Sequence, residues 1–599
     1  HNLGDIFTAV YTAMATITCR SENIGIPSLR TPTKLCATAP DKAEALNKYF
    51  QSTFTHEQPH PLPKKERSPY STIGHLHIHR TGVEKQLKQL NPGKASGPDE
   101  LPPKLLKMIA HEIAPVLSYI FQQSYNCGVV PTQWKQAYVT PIHKSGDKSD
   151  PSNYRPISLT CICCKVMEHI ILSHISKHLA VNNILTHAQH GFRQGLSTTT
   201  QLTSVVHDWS SVLQKRSQVD VVFLDFQKAF DRVPHQRLHT KLEYYGIIGD
   251  SQAWLMSLLS GRQQAVVVDG SRSSWRDVTS GVPQGSVIGP TLFLLYINDI
   301  CDDLQSTIRL FADDCVIYKE ICNEYDHHIL QRDLQRLSTW STDWLMSFNI
   351  KKCGVMSITR KRNSYIHVYQ LLDEVIPRVN QYKYLGITIT PDLRWNQHCQ
   401  SIRHKANRTL GLIRRTLPSC SKEVKARAYT TLVRPQLEYA SEAWNPHSTT
   451  VVHGLEQIQR AAARFVYSDY RSSTSSSSLV SSLGWDCLHT RRLLAQCTLF
   501  FKIHYQLVSI PFPSIVTSAT YCGRHDHNLK YAVPVATIDV YKFSFFPRIT
   551  RIWNHLPTQT VNAIGTETFK EAALPVIRTM QPPVGSNILK RLGDVSTRT

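Results

Sequence analysis

At 599 residues the chain is too long for one hydrophobic core and predicts about three or four domains. Its 67 Lys and Arg against 45 Asp and Glu leave a formal net charge of +22, which points to a polyanionic partner, nucleic acid before acidic membrane. No run of about 18 apolar residues predicts a membrane span, no basic start with an apolar core reads as a secretion leader, and 15 scattered cysteines suit reduced thiols inside a cell better than a disulfide framework.

A chain opening on His1 rather than Met reads as a piece of a longer frame. Residues 1–25 carry no recognisable pattern. Ala43, Leu46 and Phe50 recur at helical spacing. Residues 56–69 hold four prolines and several charges and read as a linker. Asn91 to Asp99 is turn-rich and basic, and a helix from Lys104 to Asn126 is expected to break near Pro115. Trp134–Lys144 reads as a strand ending in a basic residue, and Asn153–Leu159 follows after a polar turn. Cys161, Cys164, His169 and His174 are zinc-binding types at near-knuckle spacing. Val166, Ile170, Leu172, Ile175 and Leu179 nevertheless predict a helix, on which the two histidines stand about 140° apart. Buried small cysteines are the better reading. Gln189-His190-Gly191-Phe192-Arg193 opens a loop before a helix at Thr198–Leu213.

Val219 to Asp225 is an apolar strand ending in a carboxylate. A helix from Tyr244 to Leu259, two strands flanking a Gly-Ser turn at 270–271, the turn Pro283-Gln284-Gly285 and a helix at Pro290–Ile300 follow. Then comes Leu310-Phe311-Ala312-Asp313-Asp314-Cys315-Val316-Ile317-Tyr318, read as strand, tight turn, strand, with two adjacent acids at the turn. Asp is a common turn residue, so the pair alone says little. With Asp225, though, three carboxylates can converge on a pair of divalent ions about 3.5–4 Å apart, which clamp the attacking and leaving oxygens of a phosphoryl transfer. A helix at Leu330–Trp344, the stretch Phe348–Met356 with its doubled lysine, and a short hairpin at Tyr382–Ile389 come next. Residues 401–430 carry Arg403, Lys405, Arg408, Arg414, Arg415, Lys422, Lys425 and Arg427 against Glu423 alone, over the helically spaced Ile402, Leu410 and Ile413. Ser472–Ser478, Ser and Thr only, reads as a flexible linker.

Phe223-Leu224-Asp225-Phe226-Gln227-Lys228-Ala229-Phe230-Asp231, Ser280 to Pro290 and the Phe311-Ala312-Asp313-Asp314 box resemble the reverse transcriptases of non-LTR (LINE-type) retrotransposons, in the Jockey and chicken-repeat branch. The likeness runs from about Ile26 to about Pro557. It implies an α+β right-hand polymerase with fingers, palm and thumb and a mainly helical C-terminal extension. The boundaries would be 1–90 for a lead-in and linker, 91–125 for a fingers extension, 126–390 for fingers and palm, 391–470 for a basic helical thumb and 471–599 for a tail.

The resemblance implies that Asp225, Asp313 and Asp314, with Phe226, hold two Mg2+ ions, Mn2+ being a substitute. Lys352, with Lys351 as a rival, would protonate or neutralise the leaving pyrophosphate. Lys144 and Arg155 would hold the incoming triphosphate; Arg suits phosphate because its planar fork donates bidentately. Ala229 and Phe230 would line the floor under the sugar, where the ring blocks a ribose 2′-hydroxyl; Gln284 would pack near nucleotide and template. Arg193 would touch the template, Tyr384, Leu385 and Gly386 would form the primer grip, and Arg414 and Arg415 would ride the phosphate backbone. The implied activity is RNA-directed DNA synthesis from dNTPs on a DNA primer or nicked target DNA, in the nucleus, without the family's upstream endonuclease and without a membrane partner. Two other readings stand beside it: a decayed or domesticated RNA-binding remnant, and template-independent or DNA-templated synthesis on the same fold.

Overall fold

The computed structural model describes residues 25–580 apart from 33, 58–61, 363, 511, 515 and 520–526. Residues 1–24 and 581–599 lie outside the described part. Helix and strand alternate without segregating, as a mixed α and β chain.

Two sheets organise the first two thirds. One is built from β1 (Gln136–His143), β2 (Tyr154–Leu159) and β4 (Arg262–Val268), with the short strands Ser271–Arg272 and Arg276–Val278 completing it. β1 pairs antiparallel with β2 and parallel with β4. The other contains β3 (Gln218–Asp225), β5 (Thr307–Phe311), β6 (Asp314–Ile321) and β7 (Gly354–Thr359) in the order β7-β3-β6-β5, all antiparallel. β3 is a central strand buried on both faces, and its β-branched and aromatic residues suit that place. Side chains alternate across a strand. Val222 and Leu224 therefore enter one core with the helices of the first half, whereas Val219, Val221 and Phe223 enter a second core with residues beyond 380.

That second core is closed by the hairpin β8 (Tyr382–Tyr384) and β9 (Ile387–Ile389) and by a basic helical unit. Helix α1 (Ala39–Ser52) packs on β4, and α2 (Ala110–Asn126) and α3 (Ile162–Val181) cover the first core. Helix α4 (Thr198–Gln214) runs beneath β3, with α5 (Glu324–Asp343) beside β6. The helical unit holds α6 (Asn396–Thr416) and α7 (Thr449–Tyr467). After α8 (Ser476–Ser482), the tail packs α9 (Leu488–His504), α10 (Phe545–Trp553) and α11 (Thr566–Thr579) around Phe500, Phe501, Trp553 and Phe569. Among the described residues no helix is long and apolar enough to cross a membrane.

Several expectations are corrected. The helix foreseen at Tyr244–Leu259 is two, His235–Tyr244 and Asp250–Leu259. The break holds Gly246 at φ +72°, where an added Cβ would lie 2.3 Å from the Ser71 carbonyl oxygen. The helix from Lys104 is interrupted at Ile109, not at Pro115, which lies inside α2. α5 begins six residues before Leu330 because Asn323 and Asp326 form a capping box. The Ser-rich stretch is not a loose linker: Ser475 caps α8, and the Arg464 guanidinium takes the Arg471 and Thr474 carbonyls at 2.9 Å each. Residues 56–69 are likewise tied down where described. Glu57 pairs with Arg237 at 2.8 Å, Lys65 with Asp299 at 2.5 Å, and the Ser68 hydroxyl donates to the Tyr244 carbonyl at 2.6 Å. Of the zinc-type residues, the Cys161 thiol donates to Asp99 and the His174 ring meets the Gly74 carbonyl, pointing away from each other's partners.

Candidate active site

Antiparallel pairing of β3 with β6 puts Asp225 directly opposite Asp314, at the same end of the sheet. β5 turns into β6 through only two residues, Ala312 and Asp313, and Phe311 pairs with Asp314. Ala312 takes φ +53°, a left-handed conformation that costs a non-glycine residue about 1–2 kcal/mol. Three carboxylates thus share one sheet end. Burial raises the Asp313 carboxyl, and the charge of Asp225 raises it further. Asp314 is pushed up to about 6 by burial and by both neighbouring acids.

Cations ring the acids. The Lys352 ammonium is 3.6 Å from an Asp225 carboxylate oxygen, held there because the Asn349 N–H donates to the Asp225 carbonyl at 2.7 Å and sets the turn into β7. Lys351 is exposed and has no such pairing among the ion pairs of the described residues. Lys144 and Arg155, at the ends of β1 and β2, face across from the other sheet. Burial lowers the Lys144 ammonium, Arg155 and Lys352 lower it further, and Asp225 and Asp313 oppose them. Arg155 in turn bears on both Asp313 and Asp314.

These are hard oxygen donors, buried enough to repel one another, and that chemistry fits a hard divalent cation. Among the described residues no three His, Cys, Asp or Glu side chains already stand as a metal cluster. Phe226 has no side-chain donor; its ring stacks on Phe348 at 4.4 Å. Its own carbonyl is left out of the two hydrogen bonds, Asn349 N–H to Asp225 and Gln227 N–H to Ser347, that flank it.

Beside the acids, Lys228 takes φ +48° and turns the chain into the short helix Ala229–Arg232. Ala229 is buried. Phe230, half-buried, stacks on Phe293 at 4.5 Å and meets the edge of Phe192 at 6.2 Å. Gln284 does not point freely into the site: its amide donates to Asp231 at 2.8 Å. Asp231 is buried and pushed up to about 6 by desolvation. The Val282 N–H also donates to the Phe230 carbonyl, at 2.8 Å. Loop 280–284 therefore fixes the platform on which Phe230 stands.

The other sequence-derived contacts divide. The half-buried Arg193 is committed to its own loop, donating to the Thr186 carbonyl at 2.7 Å. The Tyr384 ring is turned inward, 2% exposed, with its hydroxyl accepting from Gln201, so only Leu385 and Gly386 reach the tip of the β8–β9 hairpin. Arg414 and Arg415 are exposed at the end of α6, over an open groove of about 540 Å³ shared with Phe465 and Tyr470. Lys425, grouped with them in the sequence as a backbone-riding charge, is 5% exposed and donates to the Ser468 hydroxyl at 3.0 Å.

Sequence reasoning passed over Gln189. It is 2% exposed, and its side-chain oxygen accepts from the Gly191 N–H at 2.7 Å and the Ala312 N–H at 2.9 Å. In the sequence Gln189 is marked only by its place beside Gly191-Phe192-Arg193.

Residues 142–389 match the family model described as reverse transcriptase (RNA-dependent DNA polymerase). That span holds the acids, Lys144, Arg155, Gln284 and Lys352. The chain is 31% identical over 390 residues to a protein named as a probable RNA-directed DNA polymerase from transposon X-element of Drosophila melanogaster, covering 62% of this chain and 42% of that protein. It is 29% identical over 396 residues to the RNA-directed DNA polymerase from mobile element jockey of Drosophila funebris, covering 64% and 43%. A third relative, a probable RNA-directed DNA polymerase from transposon BS of Drosophila melanogaster, is 27% identical over 70% of this chain and 48% of its own length. The chain thus spans less than half the length of these relatives. A second family model, GIY-YIG catalytic domain, matches residues 365–435 and overlaps the first. Those residues form two separate hairpins and the helices after them, and Tyr384, Ile387 and Leu410 join the core that also holds Phe223 and Trp209. They make no unit with a core of its own.

Proposed function

We propose that this chain, whose residues 142–389 match the reverse transcriptase family model, is an RNA-directed DNA polymerase of a non-LTR retrotransposon, adding dNTPs to a primer 3′ end. The observation that carries the reading is the register of β3 and β6, which sets Asp225 opposite Asp314 with Asp313 in the turn, ringed by Lys144, Arg155 and Lys352.

Asp225, Asp313, Asp314 and the Phe226 carbonyl would hold two Mg2+ ions, or Mn2+ in their stead. Bound there, the ions would supply activation of the primer 3′-hydroxyl and neutralisation of the triphosphate. The chain's own groups do the rest. Lys144 and Arg155 bind the triphosphate oxygens, Arg155 bidentately. Lys352, resting on Asp225, is placed to hand a proton to pyrophosphate or neutralise it. Phe230, backed by Phe293, closes the space where a ribose 2′-hydroxyl would project. Gln284 acts through Asp231 by holding that platform.

In this reading the β1–β2–β4 sheet belongs to the fingers, the β3–β5–β6–β7 sheet is the palm, residues 391–470 are the thumb and 91–125 a fingers extension. Leu385 and Gly386 meet the primer strand, Arg414 and Arg415 the duplex backbone, and the Phe192–Arg193 loop the template. Template RNA and a nicked chromosomal end are the partners, which makes the nucleus the place of work. Primer extension on RNA and on DNA templates, in Mg2+, tests the proposal. Extension on RNA that is lost in Asp225→Asn and in Asp313→Asn, with both variants folded, is the expected result; near-normal extension by both variants would sink the site.

A further inference from the structure

We infer that Gln189 is a positioning residue for the acid-bearing turn: a buried side-chain brace that sets where Asp313 and Asp314 stand. The inference rests on the reading of that turn as catalytic. A two-residue turn carrying two like charges, facing a third, has every electrostatic reason to splay, and its left-handed Ala312 is a conformation that surrounding structure must enforce. The enforcement comes from one loop. Residues 188–190 lie alongside β5: the Leu310 N–H donates to the Ala188 carbonyl at 2.8 Å, and the His190 N–H donates back to the Leu310 carbonyl at 2.9 Å. From there the Gln189 oxygen takes the Ala312 N–H at 2.9 Å and the Gly191 N–H at 2.7 Å. One acceptor thus fastens the turn and the loop to each other.

The fit leaves no slack. A Cβ on Gly191 would lie 2.4 Å from the Ala312 nitrogen and 3.0 Å from the Phe311 carbonyl carbon. The brace is itself anchored, since the His190 ring meets the Thr200 hydroxyl at 3.1 Å, and Thr200 belongs to the capping box that starts α4. The next residue in the loop, Phe192, meets the edge of Phe230. A single loop therefore touches both the acids and the sugar platform, and its function is to hold the two in register.

The test measures single-nucleotide incorporation by the whole chain, giving kcat, dNTP KM and duplex Kd for wild type, Asp313→Asn, Gln189→Met and Gly191→Ala. Met keeps the length of Gln without the acceptor; Ala pushes the turn from the other side. Both should lower kcat by about 10- to 100-fold, as expected when reacting groups move by about 1 Å, with KM and Kd within about twofold of wild type. Wild-type kcat in either variant overturns the brace. So does a loss carried by KM or Kd, which would make Gln189 and Gly191 substrate contacts rather than a brace. Hydrogen exchange of the 311–314 peptide gives an answer independent of activity: slow exchange at Ala312 in wild type, fast in Gln189→Met. Fast exchange in wild type overturns the brace even if the variants fail to fold. An inactive wild type, or an active Asp313→Asn, would instead defeat the polymerase reading and leave the exchange result to decide the brace.

Discussion

Phe230 shows how much one side chain can carry. It is stacked on Phe293 and edged by Phe192, so its ring cannot swing away from the space beside the acids. Phe230→Val should admit ribonucleotides, lowering the dNTP-to-rNTP incorporation ratio by about tenfold or more, the scale set by adding or removing a small group at a contact. An unchanged ratio would make Phe230 a core residue only. The basic residues of the helical unit separate at the same scale. Removing Arg414 and Arg415 should flatten the slope of log K against log salt by about 0.9 for each lost phosphate contact on a B-form duplex. Lys425→Ala should leave that slope alone and lower the melting temperature instead, because its ammonium is buried on Ser468 and over the Phe465 ring. A flattened slope for Lys425→Ala would reverse that assignment.

Elements meet through single polar contacts, and His398 is one of them. It lies in the first turn of α6, accepts the Thr388 N–H of β9 at 3.2 Å, and packs its ring edge-on to Trp444 at 4.8 Å. Burial, aided by Lys383, holds its pKa down at about 4, against an ordinary 6.5. Between those values the unfolded chain binds a proton that the folded chain refuses. The stability is therefore fully present above about pH 6.5 and is lost as pH falls through 4, with about 2 kcal/mol gone by pH 5. His398→Gln keeps an acceptor for Thr388 and cannot titrate, so its melting temperature should fall less than that of wild type between pH 7 and pH 5. Equal falls would show that this imidazole does not couple the hairpin to α6.

Across the whole molecule, the stretch before residue 70 works as a strap. Glu57 takes the Gln236 and Arg237 N–H groups at 3.0 and 3.2 Å, capping the helix His235–Tyr244, and pairs with the Arg237 guanidinium, itself 4% exposed as a residue. Glu57→Ala strands a buried charge and should cost about 3–5 kcal/mol, seen as a lower urea midpoint with an unchanged slope. A shift under about 0.5 kcal/mol, the size of an ordinary surface change, would show the strap to be incidental. At the other end, the tail docks on α4, where His207 meets Phe546 at 4.9 Å and the Gln214 side chain accepts from the Thr537 N–H at 3.1 Å. α4 thus carries the tail on one side and the brace of the acid turn on the other.

The three acids, the doubled lysine after Asn349 and the apolar strands were legible in the sequence because local pattern decides them: a short apolar run marks a buried strand, and an acid at its end marks where chemistry can stand. Lys352 against Lys351, the commitment of Arg193 to its own loop, the inward turn of Tyr384 and the burial of Lys425 were not legible. Each depends on which neighbour a side chain meets, 7 residues away for Arg193, 43 for Lys425 and 183 for Tyr384, and charge or loop position in the sequence is silent on that. Gln189 is a further case, for its partner Ala312 lies 123 residues away. Local residue order determined which groups are present and which elements carry them; only the packing of β3 against β6, and of a distant loop against their turn, decided which groups face one another.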